Sequence, residues 1–220
     1  MVAKKEALSR LAQKRKTDVW PGYFSIADFH GGIYECDYVS PYTKTASNLN
    51  ADVFVMLQDW SSTDSLNGPI CHDSIKYGHT VAKFTNSNLK DLLQRYFGLK
   101  LSQTYGTNLF PFIKPGPMNA GIPQRLMDRA AMDYGLPQIE IIKPKLVISF
   151  GKSTFNALRT AAGIPKVSSV DEGIERPFKV GDTSVWLQAH TGMLGQNNRN
   201  QGGVNRVDAD WRKMARLVST

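Results

Sequence analysis

The run Val53-Phe54-Val55-Met56-Leu57 most constrains the folds open to this chain. Five consecutive apolar residues without polar alternation describe a strand buried on both faces, too short to read as a helix. Such a strand needs a cover on each side, and parallel sheets obtain it from helices. Three further strands are expected over 103–109, at Leu146-Val147-Ile148-Ser149-Phe150 and over 184–189. Helices are expected between and after them. One is capped by Asn86 or Ser87 and runs to Phe97, with Gly98 placed to end it; the others cover 124–134, 152–162 and 208–218. A hairpin is a further reading of the loop before residue 184. Strands alternating with helices imply right-handed crossovers. The expected fold class is therefore α/β, a three-layer α/β/α sandwich with a mostly parallel four-stranded central sheet.

The 220 residues suit a single domain. Residues 51–220 form its α/β body. Residues 1–50 are read as a basic N-terminal helix over 4–15, followed by an irregular segment packed on that body. This segment is rich in aromatics (Trp20, Tyr23, Phe24, Phe29, Tyr34, Tyr38 and Tyr42) and broken by glycine and proline. Core packing is their commoner use, although aromatics beside basic residues also stack nucleobases. Gln58 to Thr85 reads as a polar loop.

The formal charge is +8. Lys4, Lys5, Arg10, Lys14, Arg15 and Lys16 stand against Glu6 in the first sixteen residues, so about five of those charges lie there. A basic balance favours polyanionic partners, but this excess also suits a solvated helix face or a flexible arm. No apolar run approaches eighteen residues, and no apolar stretch follows the basic N-terminus. No membrane association and no secretory signal are expected. Cys36 and Cys71 are the only cysteines, which excludes a disulfide framework or a four-cysteine cluster within one chain and suits a reducing cytoplasm.

Parallel sheets bind ligands outside the carboxyl ends of their strands. Each strand here is followed by a polar or glycine element: Gln58-Asp59, Asn108, Gly151-Lys152-Ser153 and His190. An acid, an amide, a backbone-and-hydroxyl loop and an imidazole are thus expected to meet in one pocket. Other motifs are weaker. Gly151-Lys152-Ser153-Thr154 matches the end of a phosphate-binding loop, but Leu146 stands where that loop needs its first glycine; the helix start and Ser153 remain able to hold one phosphate. Cys71, His72 and His79 lack metal-ligand spacing, and no metal is expected. No Gly-x-Ser-x-Gly elbow is present.

Taken in order, these segments resemble the uracil-DNA glycosylase superfamily. Leu57-Gln58-Asp59-Trp60-Ser61 is similar to its first motif, often Gly-Gln-Asp-Pro-Tyr. Thr107-Asn108-Leu109 matches its strand-end asparagine. Pro144 to Gly151 matches a proline–lysine–strand–glycine phrase. His190-Thr191-Gly192-Met193-Leu194 resembles the last motif, often His-Pro-Ser followed by a DNA-inserting loop. The resemblance implies a DNA glycosylase that removes uracil or another deaminated or modified base from a flipped nucleotide. Asp59 and His190 would be catalytic. Gln58, Trp60, Ser61, Ile70, His72 and Asn108 would bind the base. Lys114, Lys152, Ser153, Gly192, Met193, Leu194 and Arg199 would contact DNA, single- or double-stranded.

No cofactor is implied, since the cysteines of the iron–sulfur members are absent. The expected protein is a cytoplasmic monomer, nucleoid-associated if bacterial. The chain departs from the pattern at Leu57 for glycine, Trp60 for proline, Ser61 for the methyl-excluding tyrosine and Thr191 for proline. Where an aromatic would stack on the base, Asn67 to His72 offers only His72, with Ile70 as an apolar lid. Two other functions stay open on the same residues: a non-catalytic nucleic-acid-binding relative, and an α/β protein acting on free nucleosides or phosphorylated small molecules.

Overall fold

The computed structural model describes residues 2–218; Met1, Ser219 and Thr220, which belong to the expected N-terminal segment and α/β body, lie outside the described residues. The chain opens with α1 (Val2–Thr17) and three short 3-10 turns. Then follow β1 (Val53–Asp59), α2 (Thr63–Leu66), α3 (His72–Tyr77), α4 (Phe84–Phe97), β2 (Tyr105–Phe110), α5 (Gln124–Ala130), α6 (Leu136–Ile142) and β3 (Leu146–Phe150). The last third holds α7 (Lys152–Ala161), α8 (Val170–Glu175), β4 (Phe178–Val180), β5 (Thr183–Gln188), α9 (Met193–Arg199) and α10 (Arg206–Val218).

The sheet order is β2-β1-β3-β5-β4. The first four strands in that order pair in parallel, and β4 pairs antiparallel with β5. The sheet therefore has five strands, which corrects the expected four. The extra strand is the first arm of a hairpin through Gly181, and at three residues it is too short to show a period of its own. From β1 the chain moves outward to β2 and then returns to β3 on the other side. That reversal opens a crevice at the strand ends.

Alternation splits the sheet residues between two cores. Phe54, Met56, Val147, Val185 and Leu187 join one core with residues of α5, α6 and α7. Val53, Val55, Leu57, Ile148 and Trp186 join the other with Leu89, Leu93, Trp211 and Met214 of α4 and α10. Helices thus cover both faces, as the apolar β1 requires.

The basic N-terminal segment is a docked helix rather than an arm. Leu8 and Ala12 are buried, and the Lys4 ammonium donates to the carbonyls of Leu49 and Ile142 at 3.0 and 2.8 Å. Arg15 is wholly buried. Its guanidinium grips both oxygens of Glu35 and donates to the carbonyls of Cys36 and Tyr38. In the aromatic segment, Trp20 packs on Phe110 and Phe112, which is core packing rather than a stacking platform. Among the described residues no helix is long and apolar enough to cross a membrane.

Candidate functional site

A cavity of about 280 Å³ opens at the carboxyl edge of the sheet, and Asp59, Asn108 and His190 all line it. Three of the four residue groups expected to meet therefore share the cavity. The fourth does not. Lys152 is exposed and donates to the Ser168 carbonyl, and Ser153 donates to Gln124 Oε1. Neither lines the cavity. Gly151 has φ 85° and hydrogen-bonds to the carbonyl of Gln188, so it turns the chain away from the site.

Asp59 ends β1 with its side chain only 7% exposed. Gln58 Nε2 donates to Asp59 Oδ1 at 3.1 Å, so Gln58 orients the carboxylate and does not itself line the cavity. Lys114 Nζ lies 2.9 Å from Asp59 Oδ2 and is 3% exposed. This is a charge contact at an angle that forms no hydrogen bond to Oδ2; the ammonium donates to the Met118 carbonyl at 2.6 Å. Lys114 was expected to reach DNA. It is instead buried behind Asp59 and does not itself line the cavity.

Asn108 stands inside β2, opposite Leu57 of β1, rather than at the strand end. Its Oδ1 accepts a 2.6 Å hydrogen bond from Ser40.

His190 follows β5 and is held by two hydrogen bonds. The Gly192 N–H donates to His190 Nδ1 at 3.0 Å. In the neutral ring the proton then sits on Nε2, which becomes a donor. Burial pushes the imidazole pKa down, Lys83 adds to this, and Asp59 opposes it. Gln196 donates to the His190 carbonyl at 2.9 Å. Two glycines permit this closeness. A Cβ on Gly192 would meet His190 Nδ1 at 2.9 Å, and one on Gly195 would meet the His190 carbonyl oxygen at 2.3 Å. Thr191, in place of proline, is buried; it donates to the Thr85 carbonyl and accepts at its own carbonyl from Asn88. The start of α4 is thereby tied to the histidine loop.

Trp60 and Ser61 line the cavity. The indole N–H of Trp60 donates to the Gly78 carbonyl at 2.8 Å, and its ring meets Tyr34 edge-on. Ile70 and His72 are exposed and outside the cavity, so neither takes the lid or stacking position. Arg199 is not free for a phosphate. It binds both oxygens of Asp210 and also pairs with Asp171. Met193 and Leu194, at the start of α9, are 61% and 73% exposed directly after the histidine loop.

Several cavity residues had no sequence signal. Tyr34 and Tyr42 come from the aromatic segment, and Cys71, Ser74 and His79 from the stretch read as polar loop. Lys83 stands exposed at the cavity just before α4. Among the described residues, no three His, Cys, Asp or Glu side chains are grouped to hold a metal ion. No protein-family model matches this chain, and no curated protein matches it.

Proposed function

We propose that this protein is a DNA N-glycosylase that removes a deaminated or otherwise modified base. One observation carries the reading: Asp59, Asn108 and a His190 fixed as an Nε2–H donor share one cavity at the sheet edge. Breaking the N-glycosidic bond sends its electron pair to the base nitrogen and leaves positive charge on the sugar. A neutral His190 donates to the base oxygen where negative charge grows, as an oxyanion stabiliser does. Asp59, held by Gln58, faces the cationic sugar and orients the water that attacks the anomeric carbon. Asn108 contacts the base edge. The exposed Met193 and Leu194 suit the space a flipped nucleotide leaves in the stack, and Lys83 suits a phosphate at the rim.

The test is strand cleavage at abasic sites after incubation with single- and double-stranded oligonucleotides carrying uracil, hypoxanthine and other modified bases. Product is expected from at least one of them. Asp59→Asn and His190→Ala are each expected to lower its rate by roughly two to four powers of ten. No product from any base overturns the reading.

The Lys114 ammonium favours a second reading, a nucleic-acid-binding protein without catalysis. A cation 2.9 Å from the carboxylate offsets the negative charge that would stabilise the sugar. That reading expects salt-dependent DNA binding, unchanged by Asp59→Asn, with no abasic product.

A further inference from the structure

Two cavity residues have no part in the chemistry above: Tyr42 and His79. Both are buried, and their rings lie 5.0 Å apart at 34°. His79 Nδ1 lies 3.1 Å from the Tyr77 carbonyl. A carbonyl only accepts, so Nδ1 carries the proton and the neutral ring leaves a lone pair on Nε2. That Nε2 has no hydrogen-bond partner, and neither has the Tyr42 hydroxyl. Buried polar groups are almost always paired, so two unpaired ones in a single cavity wall point to a ligand.

The wall is also rigid. A Cβ on Gly78 would fall 1.7 Å from the Pro41 carbonyl oxygen, so the 77–79 turn presses directly on the turn that carries Tyr42. The Tyr42 N–H donates to Ser40 Oγ, and that hydroxyl donates to Asn108 Oδ1. With its oxygen engaged by Ser40, Asn108 offers the cavity its Nδ2 donor. Ser40 takes one of the two lone pairs of that oxygen, and His79 Nε2 adds an unpaired acceptor for a base N–H in the same wall.

We propose that His79, with Tyr42 and Asn108, forms the edge of the cavity that selects oxo bases. His79 Nε2 accepts from a ring N–H, and the Asn108 amide or the Tyr42 hydroxyl donates to the adjacent carbonyl. Uracil and hypoxanthine present that pair of groups. Cytosine and adenine present a ring-nitrogen lone pair beside an amino group, and so set acceptor against acceptor and donor against donor. This deepens the glycosylase reading and takes its substrate class from it, but edge selection is measurable without bond cleavage.

The experiment is calorimetric titration of the full chain with free uracil, hypoxanthine and cytosine, run beside the excision assay on single-stranded uracil and cytosine oligonucleotides. His79→Phe keeps a stacked ring and removes the acceptor. Its preference for uracil over cytosine is expected to fall by roughly ten- to a hundredfold. A purely structural role would weaken both bases alike and leave the ratio unchanged. His79→Gln, which retains an acceptor, is expected to keep most of the preference, and Tyr42→Phe to reduce it; these two decide the matter if His79→Phe does not fold. An unchanged ratio in folded variants overturns the proposal, as does wild-type protein that does not distinguish the oxo bases from cytosine. A His79-dependent binding preference without excision upholds this edge and overturns the glycosylase reading. Excision with a preference indifferent to His79 and Tyr42 does the reverse.

Discussion

His79 and His190 are each fixed by one ring nitrogen, with opposite results. The Tyr77 carbonyl makes His79 Nε2 an acceptor, and the Gly192 N–H makes His190 Nε2 a donor. Burial is the largest cause lowering both pKa values, so both rings remain neutral in the folded protein at pH 7. In the unfolded chain each titrates near the ordinary histidine value of about 6.5. Below that pH the unfolded chain takes up protons that the folded protein refuses. Stability is therefore full above about pH 6.5 and falls as the pH drops toward the depressed folded values, by at most ~1.4 kcal/mol per pH unit for each histidine. Urea unfolding between pH 5 and 8 is expected to show this decline, with a shallower slope in His79→Phe. An equal slope in that variant would mean that its ring is not buried neutral.

At the scale of elements, α9 holds His190 in place while contributing little to the core. None of its residues is buried, yet Gln196 and the bare Cα of Gly195 press on the His190 carbonyl. Gly195→Ala places a methyl group 2.3 Å from that oxygen, so helix and histidine must separate. Activity is expected to fall about a hundredfold, as a misplacement near 1 Å typically costs, with little change in melting temperature. Parallel kinetics and thermal melts check this; a large loss of stability with intact activity would contradict it.

The same scale shows what was legible in the sequence. The apolar runs of β1 and β3 and the Gly98 stop of α4 could be read directly, because each is a local signal that tertiary structure leaves intact. Helices α2 and α3 were hidden inside Gln58 to Thr85, since four and six residues show too little periodicity. The helix expected over 124–134 instead continues through a π turn at Ala131–Gly135 into α6, past Gly135 and Pro137. Gly135 serves packing: a Cβ there would meet Leu109 Cδ1 at 2.4 Å.

Across the whole molecule, the site depends on chain segments far apart in sequence, which explains the uneven reading of its residues. Asp59 and His190 follow from strand ends, a rule of topology, and Asn108 lies two residues short of the end of β2. Tyr34, Tyr42 and His79 obey no such rule, because their place depends on how the first fifty residues fold back over the sheet edge. Arg15 is central to that docking. Its side chain is wholly buried, and between Glu35, Cys36 and Tyr38 it fixes the stretch joining two cavity residues. Arg15→Met fills much of the same volume but leaves the Glu35 carboxylate and two carbonyls without their shared donor. Removing one partner of a fully buried pair costs about 3–5 kcal/mol, and since the Glu35 side chain is 21% exposed and keeps some solvation, the loss is expected below that range. Urea unfolding should show that loss as one earlier transition, since Trp20 and Tyr23 of the segment pack on Phe110 of the central sheet and the two parts share a core. Two separated transitions, with the later one at the wild-type midpoint, would instead make residues 1–50 an independent layer whose tyrosines reach the cavity only when it is docked.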